Sequence, residues 1–245
     1  IDTSVGAGGS DVDSQGLIEL VDDPADLTTM SANAHLGASV YTLAITTGIS
    51  AQVLVPTLML KAAGTAKAET VSAGVYLWSF DITSGATKFT GNLTGGKGDG
   101  TNTWTMKVTK TPADVNGCCA DFIFFTGTDD GAGNGSWQLF DPTRPAEAAK
   151  LFSVSYAYKS ATDKTLTFAV NSDRAATEKF GTGTSVVYNV NGTTATMTYS
   201  ESSEGGKSRI ITWDKTTKAG SIVDVKGDKL CWDTADKGYA DMTCP

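Results

Sequence analysis

The feature that most constrains the fold is a series of short segments, from residue 73 on, in which apolar residues occupy every second position. In TWTMKVTK, for example, Trp104, Met106 and Val108 alternate with threonine and lysine. A period of two puts all the apolar side chains of a strand on one face. Twelve segments are predicted as strands: VYLWSFDI, TKFTGNLT, TWTMKVTK, ADFIFFTG, SWQLFD, FSVSYAYK, TLTFAVN, SVVYNVN, TATMTYS, RIITWD, GSIVDVK and KLCWD.

The connections between these segments are short and typical of hairpins. Asn191-Gly192 separates two alternating runs, and DITSGAT, KSATDK, WDKTTKAG and VKGDK are further turn sequences. Successive hairpins give an antiparallel meander, since parallel strands need longer crossover connections. Twelve twisted strands do not stay flat, so we expect the sheet to curl into a barrel or open half-barrel, or to fold into a sandwich.

The N-terminal part of the chain has a different pattern. Asp22, Asp23 and Pro24 are typical of a helix start, and Gly48 and Pro56 divide the following segment into two or three helical pieces. No charged residue occurs from Leu36 to Leu60. That length could cross a bilayer, but its many threonines and its proline favour helices buried against the sheet.

These patterns predict a single domain over residues 21–245, preceded by a flexible tether over residues 1–20. Helices are expected within residues 21–68, the β-meander within 73–233, and a tail held by a disulfide over 234–245. The predicted fold class is mainly β (α+β): a long antiparallel meander curled into an open or half barrel, with the N-terminal helices packed against its concave apolar face.

The order of elements over residues 20–233 resembles that of bacterial lipoprotein carriers of the LolA, LolB and LppX type. In those proteins a curved sheet and a helical lid enclose an apolar cavity. The resemblance rests on the order of elements and on no sequence motif, so it transfers no functional residue to this chain. What it implies is a carrier of a lipid-like ligand in the bacterial cell envelope.

The charge balance excludes nucleic acid as a partner. The chain of 245 residues has 19 basic and 27 acidic residues, for a net charge of −8, and the basic residues are spread singly. The polar, glycine-rich start IDTSVGAGGSDVDSQG is typical either of a mature chain after removal of a leader or of an ordinary frayed terminus. We therefore expect an extracytoplasmic location, in the periplasm, at the outer membrane surface or secreted, with a membrane tether through a processed N-terminus as one form.

The four cysteines, Cys118, Cys119, Cys231 and Cys244, favour disulfides. Their spacing matches neither a zinc site nor a redox Cys-x-x-Cys motif. Pairing Cys231 with Cys244 would hold the tail on the last strand and stabilise the fold by about 3 kcal/mol. Cys118 and Cys119 would then pair with each other, unless each pairs with one of the tail cysteines.

Neither a metal site nor an active site is predicted. Asp129, Asp130 and Asn134 lie in an acidic, glycine-rich loop and are weak candidates for calcium, without the spacing of an EF-hand. His35 is the single histidine and has no carboxylate beside it in the sequence. The glutamates lie in polar segments, where paired catalytic carboxylates are not expected. We predict a non-enzymatic protein without a cofactor.

The preferred hypothesis is therefore a carrier of a hydrophobic, lipid-like ligand held between a curved sheet and a helical lid. The alternative is a structural or adhesive surface protein with a filled core, and a third hypothesis is a carbohydrate-binding or carbohydrate-active β protein. The pattern does not indicate an oligomeric state. The predicted ligand-binding residues are Tyr76, Trp78, Phe80, Trp104, Met106, Phe122, Phe124 and Tyr156.

Overall fold

The computed structural model shows a mainly β protein and describes residues 34–35, 37–38, 65–113, 118–142, 144–171, 182–201, 205–235 and 238–245. Fourteen antiparallel strands of these residues form one sheet in chain order, with β1 and β14 at its edges, so the sheet is not closed. The strands are β1 Glu69–Ser72, β2 Val75–Ser84, β3 Thr87–Lys97, β4 Asn102–Thr111, β5 Phe122–Asp129, β6 Asn134–Phe140, β7 Lys150–Ser160, β8 Asp163–Val170, β9 Ser185–Asn191, β10 Thr194–Ser200, β11 Ser208–Asp214, β12 Gly220–Val223, β13 Lys229–Ala235 and β14 Gly238–Met242.

The predicted antiparallel meander is confirmed, and each of the twelve predicted segments lies on a strand, β2 to β13. Two short strands, β1 and β14, were not predicted. The segment over residues 234–245, predicted as a tail, contains β14, which pairs Asp241 with Trp232 of β13. Its sequence, GYADM, has no regular alternation of apolar and polar residues, so this strand depends on pairing with its neighbour.

The structure does not support the helices predicted over residues 21–68. This segment and the predicted tether over residues 1–20 lie almost wholly outside the described residues. In the part of the chain that the structure describes, the helical element with defined bounds is the 3-10 turn Pro145–Glu147. Within the same part, no helix is both long and apolar enough to cross a membrane.

Glycines at the first position of two-residue turns form two of the hairpins. Gly192 follows Asn191 with a φ of 63° between β9 and β10, and Gly85 has a φ of 60° between β2 and β3. A positive φ at this position suits the right-handed twist of the flanking strands, and glycine adopts it without a steric penalty. The Asn-Gly signal therefore located the hairpin correctly.

The sheet divides into two compact units. Unit 1 contains β1 to β6 and most of β7, and unit 2 contains nearly all of β8, β9 to β14 and the four described residues between Ala34 and Ala38. In unit 1 the core is a cross-strand row of fully or almost fully buried side chains. The row contains Leu93, Met106, Phe125, Leu139 and Phe152.

The core of unit 2 likewise consists of buried side chains in register on successive strands. Met197 faces Ile211 across β10 and β11. Trp213 on β11 and Trp232 on β13 both pair with Gly220 of the intervening β12, and both are almost fully buried. In both units the alternation along the strands puts these side chains on one face and threonine, serine and lysine on the other. Burial of this apolar face is the main favourable contribution to folding.

Candidate functional site

Five of the eight predicted ligand-binding residues lie together on the apolar face of β2 and β4, which we call the aromatic face: Tyr76, Trp78, Phe80, Trp104 and Met106. The ring centroids of Tyr76 and Trp78 are 6.2 Å apart, and those of Trp78 and Trp104 are 5.9 Å apart. Both separations are within the range of favourable aromatic contacts. The structure thus forms a continuous aromatic surface in unit 1.

Glycines separate the aromatic rings across the strands of this face. The strand register gives the row Tyr76, Gly95, Trp104, Gly127 and Trp137, in which aromatic residues and glycines alternate. A Cβ atom on Gly95 would lie 2.8 Å from Trp104 and 3.0 Å from Trp78, so both rings extend over the bare backbone of this glycine. The absence of a side chain lets the rings lie low against the sheet.

The exposure of the aromatic face changes from one side to the other. Met106 is fully buried and Trp104 is 9% exposed, whereas Tyr76, Trp78 and Phe80 on β2 are only half-buried. Half-buried aromatic rings on an otherwise apolar face are available to a partner of matching polarity. The partly exposed side of the aromatic face therefore lies on β2.

Phe122 and Phe124 belong to a different cluster from the other predicted ligand-binding residues. A β-bulge shifts the register of β4 and β5 between Met106 and Lys107 and leaves Phe124 without a partner in the ladder. Both phenylalanines pack with Cys118 and Cys119. The alternating pattern did not predict the bulge. An inserted residue moves only the side chains that follow it to the other face of the sheet, so the residues before it give no sign of the change.

Tyr156 lies on β7, where the aromatic face meets the loop between β5 and β6. Its ring covers Gly135, whose added Cβ would lie 2.6 Å from the Tyr156 Cζ atom. Burial raises the pKa of the Tyr156 hydroxyl, and the negative charge of Asp129 raises it further. The neutral phenol is therefore the form that this site favours at neutral pH.

Asp129 joins the aromatic face to the acidic loop. Its carboxylate accepts a hydrogen bond from Asn102 Nδ2 at 2.8 Å, one from Gly131 N at 2.9 Å, and one from Trp104 Nε1. These donors come from β4 and from the loop itself, so the carboxylate fixes the loop to the strand. The Trp104 indole is oriented by this contact.

The neighbouring carboxylate of Asp130 is bound within its own loop. It accepts hydrogen bonds from Ala132 N at 2.8 Å, from Asn134 N at 2.9 Å and from Asn134 Nδ2 at 2.5 Å. The Asn134 side chain, followed by the backbone N–H groups, lowers the pKa of Asp130. The weak calcium candidates Asp129, Asp130 and Asn134 thus contact N–H donors, and the described residues contain no group of three or more histidine, cysteine or acidic side chains that could hold a metal.

The cysteines lie in two pairs at disulfide distance. Cys231 and Cys244 have Cα atoms 5.2 Å apart, as the predicted pairing requires. Cys118 and Cys119 form the second pair, at the buried entrance to β5. Lys110 N donates to the Cys119 carbonyl at 2.8 Å, so this pair is also tied to β4. The sequence alone had left two possibilities for Cys118 and Cys119: a bond with each other, or a bond from each to one of the tail cysteines.

His35 lies in unit 2 and is fully buried. Its ring packs edge-on against Trp232, with centroids 5.5 Å apart. The preceding amide, Ala34 N, donates to Asp241 Oδ1 at 2.9 Å. Sequence reasoning missed this site because Asp241 follows Ala34 by more than 200 positions in the chain.

The polar face of unit 1 carries a cavity of about 240 Å³. Thr128 and Ser136 share a hydrogen bond at 3.3 Å at this cavity, and Gln138 Nε2 donates to the Phe152 carbonyl at 2.9 Å. Five of its seven lining residues carry a hydroxyl or amide side chain. The lining residues are Thr126, Gly127, Thr128, Ser136, Trp137, Gln138 and Ser153.

Sequence reasoning missed the glycines beneath the rings of the aromatic face. Glycines inside strands, such as Gly95 and Gly127, signal a close approach of a side chain or ligand to the backbone. A glycine that pairs with an aromatic residue on the neighbouring strand could therefore have predicted where the aromatic rings lie over the backbone. Asp141 was also missed; it is fully buried in the β6–β7 connection and bonded to Arg144 at 3.3 Å.

Comparisons with known proteins do not place the chain in a family. No family model, no curated protein and no solved structure matches it. The resemblance to lipoprotein carriers therefore gains no support from these comparisons.

Proposed function

We propose that the protein is a non-enzymatic binder or carrier of an apolar, lipid-like ligand, and that the ligand lies on the aromatic face of unit 1. The observation that carries the proposal is the half-burial of Tyr76, Trp78 and Phe80 beside the buried Trp104 and Met106. An apolar ligand on these rings would gain about 25 cal/mol for each Å² removed from water, less the cost of association.

The shape of the face supports an elongated ligand. Tyr76, Trp78 and Phe80 follow each other at every second position of β2, and the rings of Phe80 and Trp78 extend over Gly91 and Gly95 of β3. A chain of methylene groups fits a shallow apolar strip better than a compact ligand does.

The proposed location is extracytoplasmic, in the cell envelope or secreted. Two cysteine pairs at disulfide distance support it, because structural disulfides persist in oxidising compartments. The net charge of −8 supports a partner other than nucleic acid.

A titration of delipidated protein with a fluorescent fatty acid tests the proposal. We expect saturable binding by the wild type and binding about 5–10-fold weaker in Trp78→Ala, since a favourable aromatic contact is worth about 1 kcal/mol. Thr105→Ala is the matched control: Thr105 lies on β4 between Trp104 and Met106, on the opposite face, and its loss should leave binding unchanged.

A series of fatty acids of increasing length sharpens the test. Each added methylene that reaches the face should strengthen binding about fourfold, from about 0.8 kcal/mol per buried methylene. Absence of saturable binding, or equal weakening by Trp78→Ala and Thr105→Ala, would contradict the carrier proposal.

The second candidate is a structural or adhesive surface protein with a filled core. The specific observation in its favour is that Trp104 and Trp78 themselves fill the space above Gly95, so the face is partly complementary to itself. This candidate predicts that Trp78→Ala lowers stability without affecting the binding of any apolar probe.

A further inference from the structure

The C-terminal hairpin of unit 2 joins a disulfide to a tertiary contact. Its strands β13 and β14 pair Cys231 with Met242 and Trp232 with Asp241, and the Cys231–Cys244 pair lies just beyond this ladder. We call Cys231, Trp232, Asp241 and Cys244 the tail clasp. Its four residues come from β13, from β14 and from the chain directly after β14.

The tail clasp holds a segment from the other end of the chain. Asp241 Oδ1 accepts the Ala34 amide at 2.9 Å, and the His35 ring lies edge-on against Trp232. Ala34, His35 and Ala38 are almost fully buried, so the contact removes an apolar surface from water. Both residues that hold this segment belong to the hairpin that the disulfide closes.

The two strands of the hairpin are fixed to different degrees. Trp232 on β13 donates from Nε1 to the Lys218 carbonyl at 2.7 Å and covers Gly220 of β12, so β13 is held on its other side as well. β14 is an edge strand of five residues whose neighbour in the sheet is β13 alone. A short edge strand is weakly held, and the disulfide is the covalent link between its end and β13.

The two cysteine pairs also differ in accessibility. Cys244 is partly exposed, whereas Cys118 and Cys119 are both buried among Phe122, Phe124 and Phe140. Thiol–disulfide exchange requires the attacking thiolate to reach a sulfur atom. A reductant would therefore reach the pair in the tail clasp first.

We propose that the tail clasp is a redox-sensitive device that releases Ala34, His35 and Ala38 from unit 2 when the Cys231–Cys244 disulfide is reduced. The reductant is a dithiol. Its first thiolate attacks Cys244 Sγ, the S–S bond breaks, and Cys231 leaves as a thiolate that takes up a proton. The second thiol then displaces Cys244 from the mixed disulfide, so the dithiol is oxidised to a disulfide and two cysteine thiols are formed.

Release follows because reduction removes the link that holds the end of β14. Asp241 then separates from β13 as the edge strand frays, and the Ala34 amide loses its acceptor. Trp232 stays on β12 and loses the His35 ring as a neighbour. The device does not depend on the proposed ligand, since every residue in it belongs to unit 2.

The single histidine of the chain provides the measurement. We expect the Trp232 ring to shift the NMR signals of the His35 ring protons, and these signals need no assignment because the chain has one histidine. We expect treatment with dithiothreitol to move these signals to the position of an exposed histidine. We also expect hydrogen exchange at Ala34, His35 and Ala38 to become about tenfold faster or more.

Matched variants separate the device from a general loss of stability. Cys231→Ser with Cys244→Ser should show the released His35 signals without reductant, whereas Cys118→Ser with Cys119→Ser should keep the bound signals and still respond to dithiothreitol. Asp241→Ala should release the segment while the disulfide stays intact, and it serves as the second test if the serine variant does not fold.

Two results would overturn the proposal. One is a protein whose Cys231 and Cys244 are shown by alkylation to be reduced while the His35 signals stay in place. The other is a loss of exchange protection on β9 and β10 together with that on β14, which would make the disulfide a staple of the whole of unit 2.

Discussion

Both units place tryptophan rings over glycines, but they differ in what covers the rings. In unit 1, Trp78 and Trp104 lie over Gly95, and the surface beside Trp78 is half-buried. In unit 2, Trp232 lies over Gly220, is fully buried and has His35 as a neighbour. A tryptophan over a glycine of the neighbouring strand therefore belongs to a partly exposed apolar surface in unit 1 and to a closed core in unit 2.

The difference shows why a candidate site cannot be read from aromatic content alone. All five tryptophans lie in strands, and the alternation along each strand is the same in both units. What distinguishes Trp78 from Trp232 is a segment contributed by a distant part of the chain. We therefore propose ligand binding for unit 1 and a redox-sensitive contact for unit 2.

The largest expected effect comes from removing one tryptophan from each unit. Trp232→Ala should reduce the free energy of unfolding by about 3–5 kcal/mol, as for a fully buried large side chain. Trp78→Ala, at a half-buried position, should cost about 1–2 kcal/mol. Urea denaturation of both variants measures the difference, and equal losses would show that the two rings are covered to the same degree.

The glycines beneath the rings give the next largest effect. An added Cβ on Gly220 would lie 2.5 Å from Trp232 and would also contact the Thr212 carbonyl, whereas on Gly95 it meets ring atoms of Trp104 and Trp78. Gly220→Ala should cost up to about 3 kcal/mol and Gly95→Ala about 1–2 kcal/mol, because a half-buried ring can tilt away.

Thr94→Ala provides the control for this pair. Thr94 precedes Gly95 on β3 and lies on the opposite face, so its substitution should change the free energy of unfolding by about 0.5 kcal/mol or less. If Gly95→Ala proves as harmless as Thr94→Ala, the rings do not lie low over the backbone.

Acid pH should weaken a hairpin contact of unit 2. Hydrogen bonds from the Thr193 hydroxyl and from the Thr217 and Thr216 amides lower the pKa of Asp214 to about 2. Because the folded-state pKa lies below the unfolded value near 3.8, the stabilisation is complete above about pH 4 and is lost as the pH falls through 2.

The corresponding variant is Asp214→Ala, measured by thermal unfolding from pH 7 to pH 2. Its Tm should lie below that of the wild type at pH 7, and the difference should shrink between pH 4 and pH 2. A difference in Tm that stays constant over this range would show that the charge of Asp214 is not what holds the turn.

The smallest expected effect concerns Tyr156 in unit 1. Burial and the charge of Asp129 raise the pKa of its hydroxyl, so the neutral phenol stabilises the fold below the ordinary value of 10.0, and this contribution is lost as the pH rises through the folded pKa. In a spectrophotometric titration, Tyr156→Phe should remove the tyrosine that ionises late. If Tyr156→Phe instead removes a tyrosine that ionises near the ordinary pKa, the hydroxyl of Tyr156 is not buried beside Asp129.

The strands could be predicted from the sequence because their signal is local. Alternation of the kind found at Trp104, Met106 and Val108 reports which face of a strand is apolar, and Asn191-Gly192 reports a turn. The same pattern located the aromatic face, and the short loop between Cys231 and Cys244 made their pairing predictable. Each of these inferences needs only residues that are close in the chain or on neighbouring strands.

Other features depended on contacts that no local pattern contains. Three features depend on a partner strand or loop: the bulge at Phe124, the strand β14, and the hydrogen bonds that the carboxylates of Asp129 and Asp130 accept. A loop rich in acidic residues looks the same in sequence whether its oxygens face a cation or its own N–H groups. Three-dimensional geometry alone decides between them.

The sequence by itself thus determined the antiparallel meander, the apolar and polar faces of its strands, and the residues of the aromatic face, because side-chain alternation is a property of the extended backbone. Only the tertiary structure decided which tryptophans are covered. Trp232 is closed off by His35, held through an amide on Asp241, whereas Tyr76, Trp78 and Phe80 stay half-buried. The physical reason is that burial depends on chain segments far apart in sequence, and their meeting is fixed by the free energy of the whole fold.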